Sequence, residues 1–138
     1  MPLYKEEIHL VTRREIKSID ELTGKIISIG EEGSGTSSTS ATILYHLGIN
    51  PKQMLTLDTR RGIDALRNKE IDGFFYVVGI PSNILEAQIF PEDNCHLLPI
   101  SLPSKPDDEF LSRLYPSVTI PANTYSWQKD VVETLSVQ

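Results

Sequence analysis

Apolar positions along the chain change period every ten residues or so. "EIHLVTR" (Glu7 to Arg13) reads as a strand. "SIDELTG" predicts a short helix with Ser18 as N-cap, Glu21 at the capping-box position and Gly24 as its stop. "KIISIG" is an isoleucine-rich buried strand. The pattern then turns helical from about Thr36 to Leu47, with Ala41, Leu44 and Leu47 on the inner face and Gly48 as terminator. "MLTLD" predicts a strand, and "TRRGIDALRNKE" a helix that turns Ile63 and Leu66 inward. "IDGFFYVVG" is the most apolar run and predicts a central strand covered on both faces, which makes core residues of Phe74 and Phe75. "PSNILEAQIF" reads as a helix, "CHLLPIS" as a strand, "DDEFLSRLY" as a helix and "VVETLSVQ" as a final strand, while residues 102–107, with two prolines, read as a surface loop.

Strands that alternate with helices predict an α/β fold, a mostly parallel sheet with helices on both faces. With 138 residues and no internal boundary, the chain is expected to form one lobe over residues 1–138. The composition, 39% hydrophobic and 23% charged, is that of a globular protein. A net charge of −6 and only isolated basic pairs (Arg13-Arg14, Arg60-Arg61) exclude nucleic acid as a partner. Cys95 is the sole cysteine, so no internal disulfide forms. His9, His46 and His96 each adjoin an apolar run and read as structural residues, with no metal site. No window reaches the apolar length of a membrane span, and "MPLYKEEIHLVTRR" lacks the apolar core of a secretory signal.

The candidate chemistry lies in "KIISIGEEGSGTSSTSATILYHLG". A strand ends at a glycine, and Gly33-Ser34-Gly35-Thr36-Ser37 opens the next helix with hydroxyls and no acidic residue. Glycines let a ligand approach the backbone, Ser34, Thr36 and Ser37 add hydroxyl donors, and the helix N-terminus offers N–H groups to a carboxylate or phosphate. The other reading is a tight turn with self-capping hydroxyls. The stretch is not a P-loop, because the G-K-[ST] element is missing, and it is not a complete G-x-G-x-x-G fingerprint. If ligand N–H groups are free, those of Ser34 to Ser37 should be unpaired, and Gly35 should be the glycine that tolerates no side chain. In a parallel sheet the end of "DGFFYVVGIP" should reach the same edge, which makes Tyr76, Val78 and Gly79 candidates for the cleft wall. Glu31 and Glu32 repel a carboxylate there, or receive an ammonium group, or face solvent. Arg60 or Arg61 is available to a carboxylate or serves as a solvated helix start. Tyr115, Tyr125 and Trp127 fall in a late loop that covers the cleft or meets another lobe. No triad, metal cluster or paired carboxylates appear, so catalysis is not expected.

"LYKEEIHLVTRR", "IKSIDELTGKIISIGEEGSGTSSTSATILYHLGI", "ALRNKEIDGFFYVVGIPSNIL" and "LYPSVTIPANTYSWQKDVVETLSV" follow in an order that resembles the TAXI-type solute-binding proteins of TRAP transporters. The resemblance covers nearly the entire chain. It implies the second lobe of a type II periplasmic-binding-protein-like fold with its two crossover strands, while the family's first lobe, signal peptide and C-terminal helices lie outside it. It also implies binding of a small carboxylate or amino acid such as glutamate, delivery to membrane permease subunits, an extracytoplasmic location and no cofactor. Two further expectations follow. Glu7 to Arg13 should pair with Val131 to Val137 as crossover strands, and a lobe lacking its partner is expected to form a homodimer at high concentration. Two alternative readings stand beside these, a phosphate-handling enzyme or regulator built on a related lobe, and a lobe without ligand function.

Overall fold

Strand β1 (Glu6–Arg13) organises the sheet of the computed structural model, which describes residues 5–103 and 109–137. The order is β3 (Gln53–Leu55), β2 (Ile26–Ser28), β4 (Gly73–Val78), β1, β7 (Val132–Val137) and β6 (Ser117–Ile120), with β5 (Cys95–Leu97) also on β1. One edge of β1 lies along β4 over six residue pairs, from Glu7 opposite Val78 to Thr12 opposite Gly73. Its other edge is shared, β7 taking Glu6 and Glu7 and β5 taking Val11 to Arg13. The expected pairing of the first and last strands is therefore present, and the Thr134 hydroxyl adds a bond of 2.7 Å to the Ile8 carbonyl.

The α/β class holds, but the sheet is mixed rather than mostly parallel. Parallel pairing is confined to β2 with β3 and β2 with β4, and the pairs of β1 with β4, β5 and β7 and of β6 with β7 are antiparallel. The reason is connectivity. The run β2–α1–β3–α2–β4 places its strands side by side and parallel through helical crossovers, with α1 at Gly35–His46 and α2 at Thr59–Arg67, whereas β1 inserts antiparallel between β4 and β5. Strands joined by loops or returning from elsewhere are free to run antiparallel. The helix α3 (Asn83–Gln88) follows β4, and α4 (Glu109–Leu114) precedes β6. The proline-rich segment expected to be a loop lies largely outside the described residues.

Two cores flank the sheet, and the side-chain alternation of β4 divides them. Phe74 packs with Ile63, Leu66 and Leu85 of α2 and α3, whereas Phe75 packs with Ile43 and Leu44 of α1 and with Ile27. Both phenylalanines are buried, as a centrally placed strand requires. The inner face of α1 differs from the expected one. Ser40, Ile43 and Leu44 are buried, Leu47 is partly buried and Ala41 is exposed. The helix is set by Thr36, whose hydroxyl accepts the Val77 N–H at 3.1 Å, so the buried line runs 36, 40, 43, 44, 47. Ser40 enters the core at low cost because its hydroxyl donates to the Thr36 carbonyl at 2.6 Å.

Tyr125 and Trp127 also depart from expectation. They are fully buried, stacked at 5.2 Å between ring centroids, and belong to the α2–α3 core rather than to a cover over the cleft. The Trp127 ring N–H donates to the Leu85 carbonyl at 2.9 Å. Tyr115 is partly buried against the α1 core.

Candidate functional site

Three parallel strands end at one edge, and a groove of about 360 Å³ opens there. After β2 the chain supplies Gly30, Glu31, Ser34 and Thr36, after β3 it supplies Asp58, Thr59 and Arg60, and Tyr76 of β4 and Ile84 of α3 close the wall. The chain leaves β2 toward β3 on one side and returns past it to β4 on the other. This is the switch point at which α/β sheets hold ligands. Two helix N-termini, of α1 and α2, meet at the groove, so both positive dipole ends act on the same volume.

The turn itself is held from within. Buried Ser28 accepts the Leu57 N–H at 3.1 Å and the Gly30 N–H at 3.4 Å, which ties the loops after β2 and β3 together. Gly30 has φ +99, and a Cβ there would stand 2.6 Å from the Thr36 methyl and 2.8 Å from its Cβ. The close approach that the sequence suggests for Gly35 thus belongs to Gly30. A Cβ on Gly35 would meet nothing within 4 Å, and that residue sits in the first helical turn. Gly33, at φ +80, is exposed and makes the bend.

Half of the expected free amides are taken. The Ser34 N–H donates to the Glu31 carbonyl at 3.0 Å, and the Ser37 N–H donates to the Ser34 hydroxyl oxygen at 3.1 Å. The Ser37 hydroxyl in turn donates to the Ser34 carbonyl at 3.1 Å. The helix therefore caps itself with Ser34, and Gly35 and Thr36 carry the N–H groups left over for a ligand. At the second terminus Asp58 accepts the Arg61 N–H at 2.9 Å and lies 3.7 Å from its guanidinium. Arg60 lines the groove, exposed and with no ion-pair partner among the described residues.

Of the residues singled out in the sequence, Glu31, Ser34, Thr36, Arg60 and Tyr76 meet in the groove, and Gly35 and Thr36 line a smaller one of about 210 Å³ with Glu6, Thr39, Val77 and Val137. Gly33 and Ser37 are adjacent but line neither groove. Val78 lies further along β4, opposite Glu7, and the Lys5 carbonyl is the nearest neighbour of a Cβ on Gly79. Gly30, Ser28 and Ile84 were not singled out, and Asp58 and Thr59 counted only as part of the strand-to-helix turn that carries Arg60 and Arg61. Ser28 carried no sequence signal beyond its place at a strand end, while Gly30 was visible as the residue at which the strand stops.

Beneath Tyr76 lies a polar chain. The Ser82 N–H donates to the Tyr125 hydroxyl oxygen at 2.9 Å, that hydroxyl donates to His9 Nε2 at 2.8 Å, and His9 Nδ1–H donates to the Glu7 carbonyl at 3.0 Å. Burial drives the His9 pKa down to about 4 and the Tyr125 phenol up to about 12. Glu7 is buried too, its pKa raised chiefly by burial, and its Oε1 has no hydrogen-bond partner among the described residues. His96 donates to or accepts nothing in the groove, bonding instead to the Ile16 carbonyl at 2.8 Å. Among the described residues no group of three or more His, Cys, Asp or Glu is placed to hold a metal ion, and no helix is long and apolar enough to cross a membrane.

The NMT1-like family matches residues 1–138. Among solved structures, a periplasmic binding protein of an ABC transporter from Brucella ovis, with glutathione bound, superposes with a TM-score of 0.56 at 13% identity, over 98% of this chain and 35% of that one. The regulatory domain of CcmR from Synechocystis PCC6803, in complex with 2-PG, gives 0.55 at 14% identity, over 71% of this chain and 48% of that one. The GluR0 ligand-binding core from Nostoc punctiforme, in complex with L-glutamate, gives 0.51 at 17% identity, over 99% and 48%. The chain thus spans about a third to a half of these proteins, and it has the fold of a type II periplasmic-binding-protein lobe.

Proposed function

The chain belongs to the NMT1-like family, and on that premise we propose that it is the solute-binding lobe of a transporter receptor whose ligand is a small carboxylate or amino acid. The observation that carries this reading is the convergence of two helix N-termini and Arg60 on one groove, where neither Arg60 has an ion-pair partner nor the Gly35 and Thr36 amides an acceptor among the described residues. A carboxylate seated there receives charge-assisted hydrogen bonds, each contributing roughly 1.5–3 kcal/mol. Tyr76 and Ile84 supply an apolar wall for the ligand's carbon chain.

The order of motifs along the chain supports a more specific assignment, a TAXI-type receptor of a TRAP transporter that works outside the cytoplasm with membrane permease subunits and takes glutamate or a related acid. Ser34, Gly35, Thr36 and Tyr76 are the ligand contacts in this reading, with Gly33 and Ser37 shaping the turn and Val78 and Gly79 extending the wall. One lobe offers one wall of a cleft, so association entropy leaves affinity weak, about millimolar for the chain alone.

The test is an NMR titration of the chain with glutamate, succinate and phosphate, following the amides of Gly33 to Ser37 and the Arg60 side chain. Shifts in Gly35, Thr36 and Arg60 with a carboxylate are the expected result. Phosphate alone shifting them would favour a phosphate-handling protein, and a response confined to another surface would make the turn purely structural.

A further inference from the structure

Ile84 owes its place in the groove to residues outside it. It sits on α3, a helix of six residues, and a helix that short takes its position from its surroundings rather than from its own stability. Three consecutive residues of the late loop grip its first turn. The Ser82 N–H, at the N-cap, donates to the Tyr125 hydroxyl oxygen at 2.9 Å. The Ser126 N–H donates to Glu86 Oε2 at 2.8 Å, and the Trp127 ring N–H donates to the Leu85 carbonyl at 2.9 Å.

The Tyr125 bond continues to the other apolar wall residue. Its hydroxyl donates to His9 Nε2 at 2.8 Å, and His9 stands opposite Tyr76 in the β1–β4 register. Every role in this chain is forced. The Glu7 carbonyl can only accept, so His9 Nδ1 carries the proton and Nε2 is the acceptor. The Ser82 N–H can only donate, so the Tyr125 oxygen accepts there and gives its own proton to His9. All three residues are buried, which makes a broken link costly. The Glu7 carboxylate accepts the Ile80 N–H and ties the turn between β4 and α3 to the same strand. Tyr76 and Ile84 both pack against the core cluster that contains Tyr125, yet Tyr125 lines neither groove.

We propose that Tyr125 is the positioning residue of the apolar wall. Through Ser82 and His9 it sets the separation of Ile84 from Tyr76, and so how well the groove tells carboxylates apart by their carbon tails. The inference rests on the reading of the groove as a carboxylate site and adds to it a residue that touches no ligand. The carboxylate end of the groove hangs on other bonds, those of Ser34, Ser28 and Asp58, and is independent of this chain.

Acetate and 4-methylpentanoate share the carboxylate and differ in the tail. NMR titration of the wild type, Tyr125→Phe and Thr134→Val with both acids is the test. Phenylalanine keeps the ring and removes only the hydroxyl. Thr134→Val removes another buried hydroxyl, bonded to the Ile8 carbonyl and lining neither groove, and so controls for a general loss of stability. The wild type should bind 4-methylpentanoate at least about fivefold more tightly than acetate. Tyr125→Phe should lose about fivefold for 4-methylpentanoate and less than about twofold for acetate, and Thr134→Val should leave both within about twofold. In the wild type the His9 Nε2 resonance should shift with 4-methylpentanoate and not with acetate, since the ring is buried and lines neither groove. If the wild type binds neither acid, the groove is not a carboxylate site and the reading beneath the inference fails. If it binds both equally, if Tyr125→Phe changes both alike or neither, or if Thr134→Val reproduces its effect, the inference alone is overturned. Should Tyr125→Phe not fold, the wild-type signal decides, and a His9 ring that does not answer to 4-methylpentanoate overturns the proposal.

Discussion

Among single residues, the glycine that matters most at the site is Gly30. It combines φ +99 with a Thr36 methyl 2.6 Å from where a Cβ would stand, and Thr36 cannot retreat because its hydroxyl holds the Val77 N–H. Gly30→Ala meets both a left-handed backbone and a fixed neighbour, so a loss of about 2–4 kcal/mol is expected. Gly35→Ala meets neither, and at an early helical position it should be neutral or stabilise by up to about 1 kcal/mol. Urea unfolding of the two variants checks the contrast, and equal losses would mean that the turn is not held as described. The sequence showed a donor-rich helix start, because glycine and hydroxyl clustering is a local signal. It did not show which donors are spent on the helix itself. That depends on Ser34 adopting the N-cap geometry and on Ser28 joining two loops 29 residues apart in the chain. Tyr76 was legible as the end of a strand that reaches the glycine turn, and Asp58 and Thr59 as part of the strand-to-helix turn of Arg60, while Ile84 came to the groove through tertiary placement that no local pattern encodes.

Elements were readable where periodicity was strong and their packing direction was not. The strands β1, β2 and β4 and the helices α1 to α3 lie close to where apolar spacing places them, but β6 between Pro116 and Pro121 was too short to stand out. The buried face of α1 was misjudged because apolar spacing ignores Ser40, a polar residue that satisfies itself within the helix. The same limit hid the contact between β1 and the late loop, where His9 meets Tyr125. That contact makes a prediction about pH. With its folded pKa near 4, His9 is neutral in the native protein while the unfolded chain takes up a proton near pH 6.5. Above about pH 6.5 the difference vanishes, and as pH falls from there toward 4 the unfolded state binds more protons and stability drops, by about 3 kcal/mol at pH 4 from this group. His96, shifted down by burial as well, adds to the loss. Glu7 acts in the opposite sense, since its raised pKa lets the folded state take a proton first and returns part of the stability at the acid end. Urea midpoints between pH 7 and 4 should fall for the wild type and fall less steeply for His9→Gln. A His9→Gln chain with the full wild-type slope would show that the imidazole is not the group that titrates.

At the scale of the molecule, β1 is the strand on which everything else depends. It pairs with β4, β5 and β7, so none of these three can leave without opening an edge of β1, and its residues Ile8, Leu10 and Val11 divide between both cores. The parallel pair β2–β3 hangs from the far side of β4 through the three-residue β2, the outer β3 leaves Met54 exposed, and β6 pairs with β7 alone among the described strands. Local opening should follow that order. The amides of Ile8 to Val11 and of Phe74 to Tyr76 are expected to exchange only through global unfolding. Those of β3 and β6 should exchange through openings at least about 2 kcal/mol cheaper. The groove spans the boundary between these two regimes, with Tyr76 on the rigid strand and Asp58, Thr59 and Arg60 at the start of α2, which follows the weaker one. A ligand that bridges them should therefore protect β3 and the start of α2 far more than β1, by the free energy of binding itself. Hydrogen exchange with and without glutamate reads this directly. Uniform protection across the sheet would show that the wall carrying Arg60 is as firm as β1, and that the groove is preformed rather than completed by its occupant.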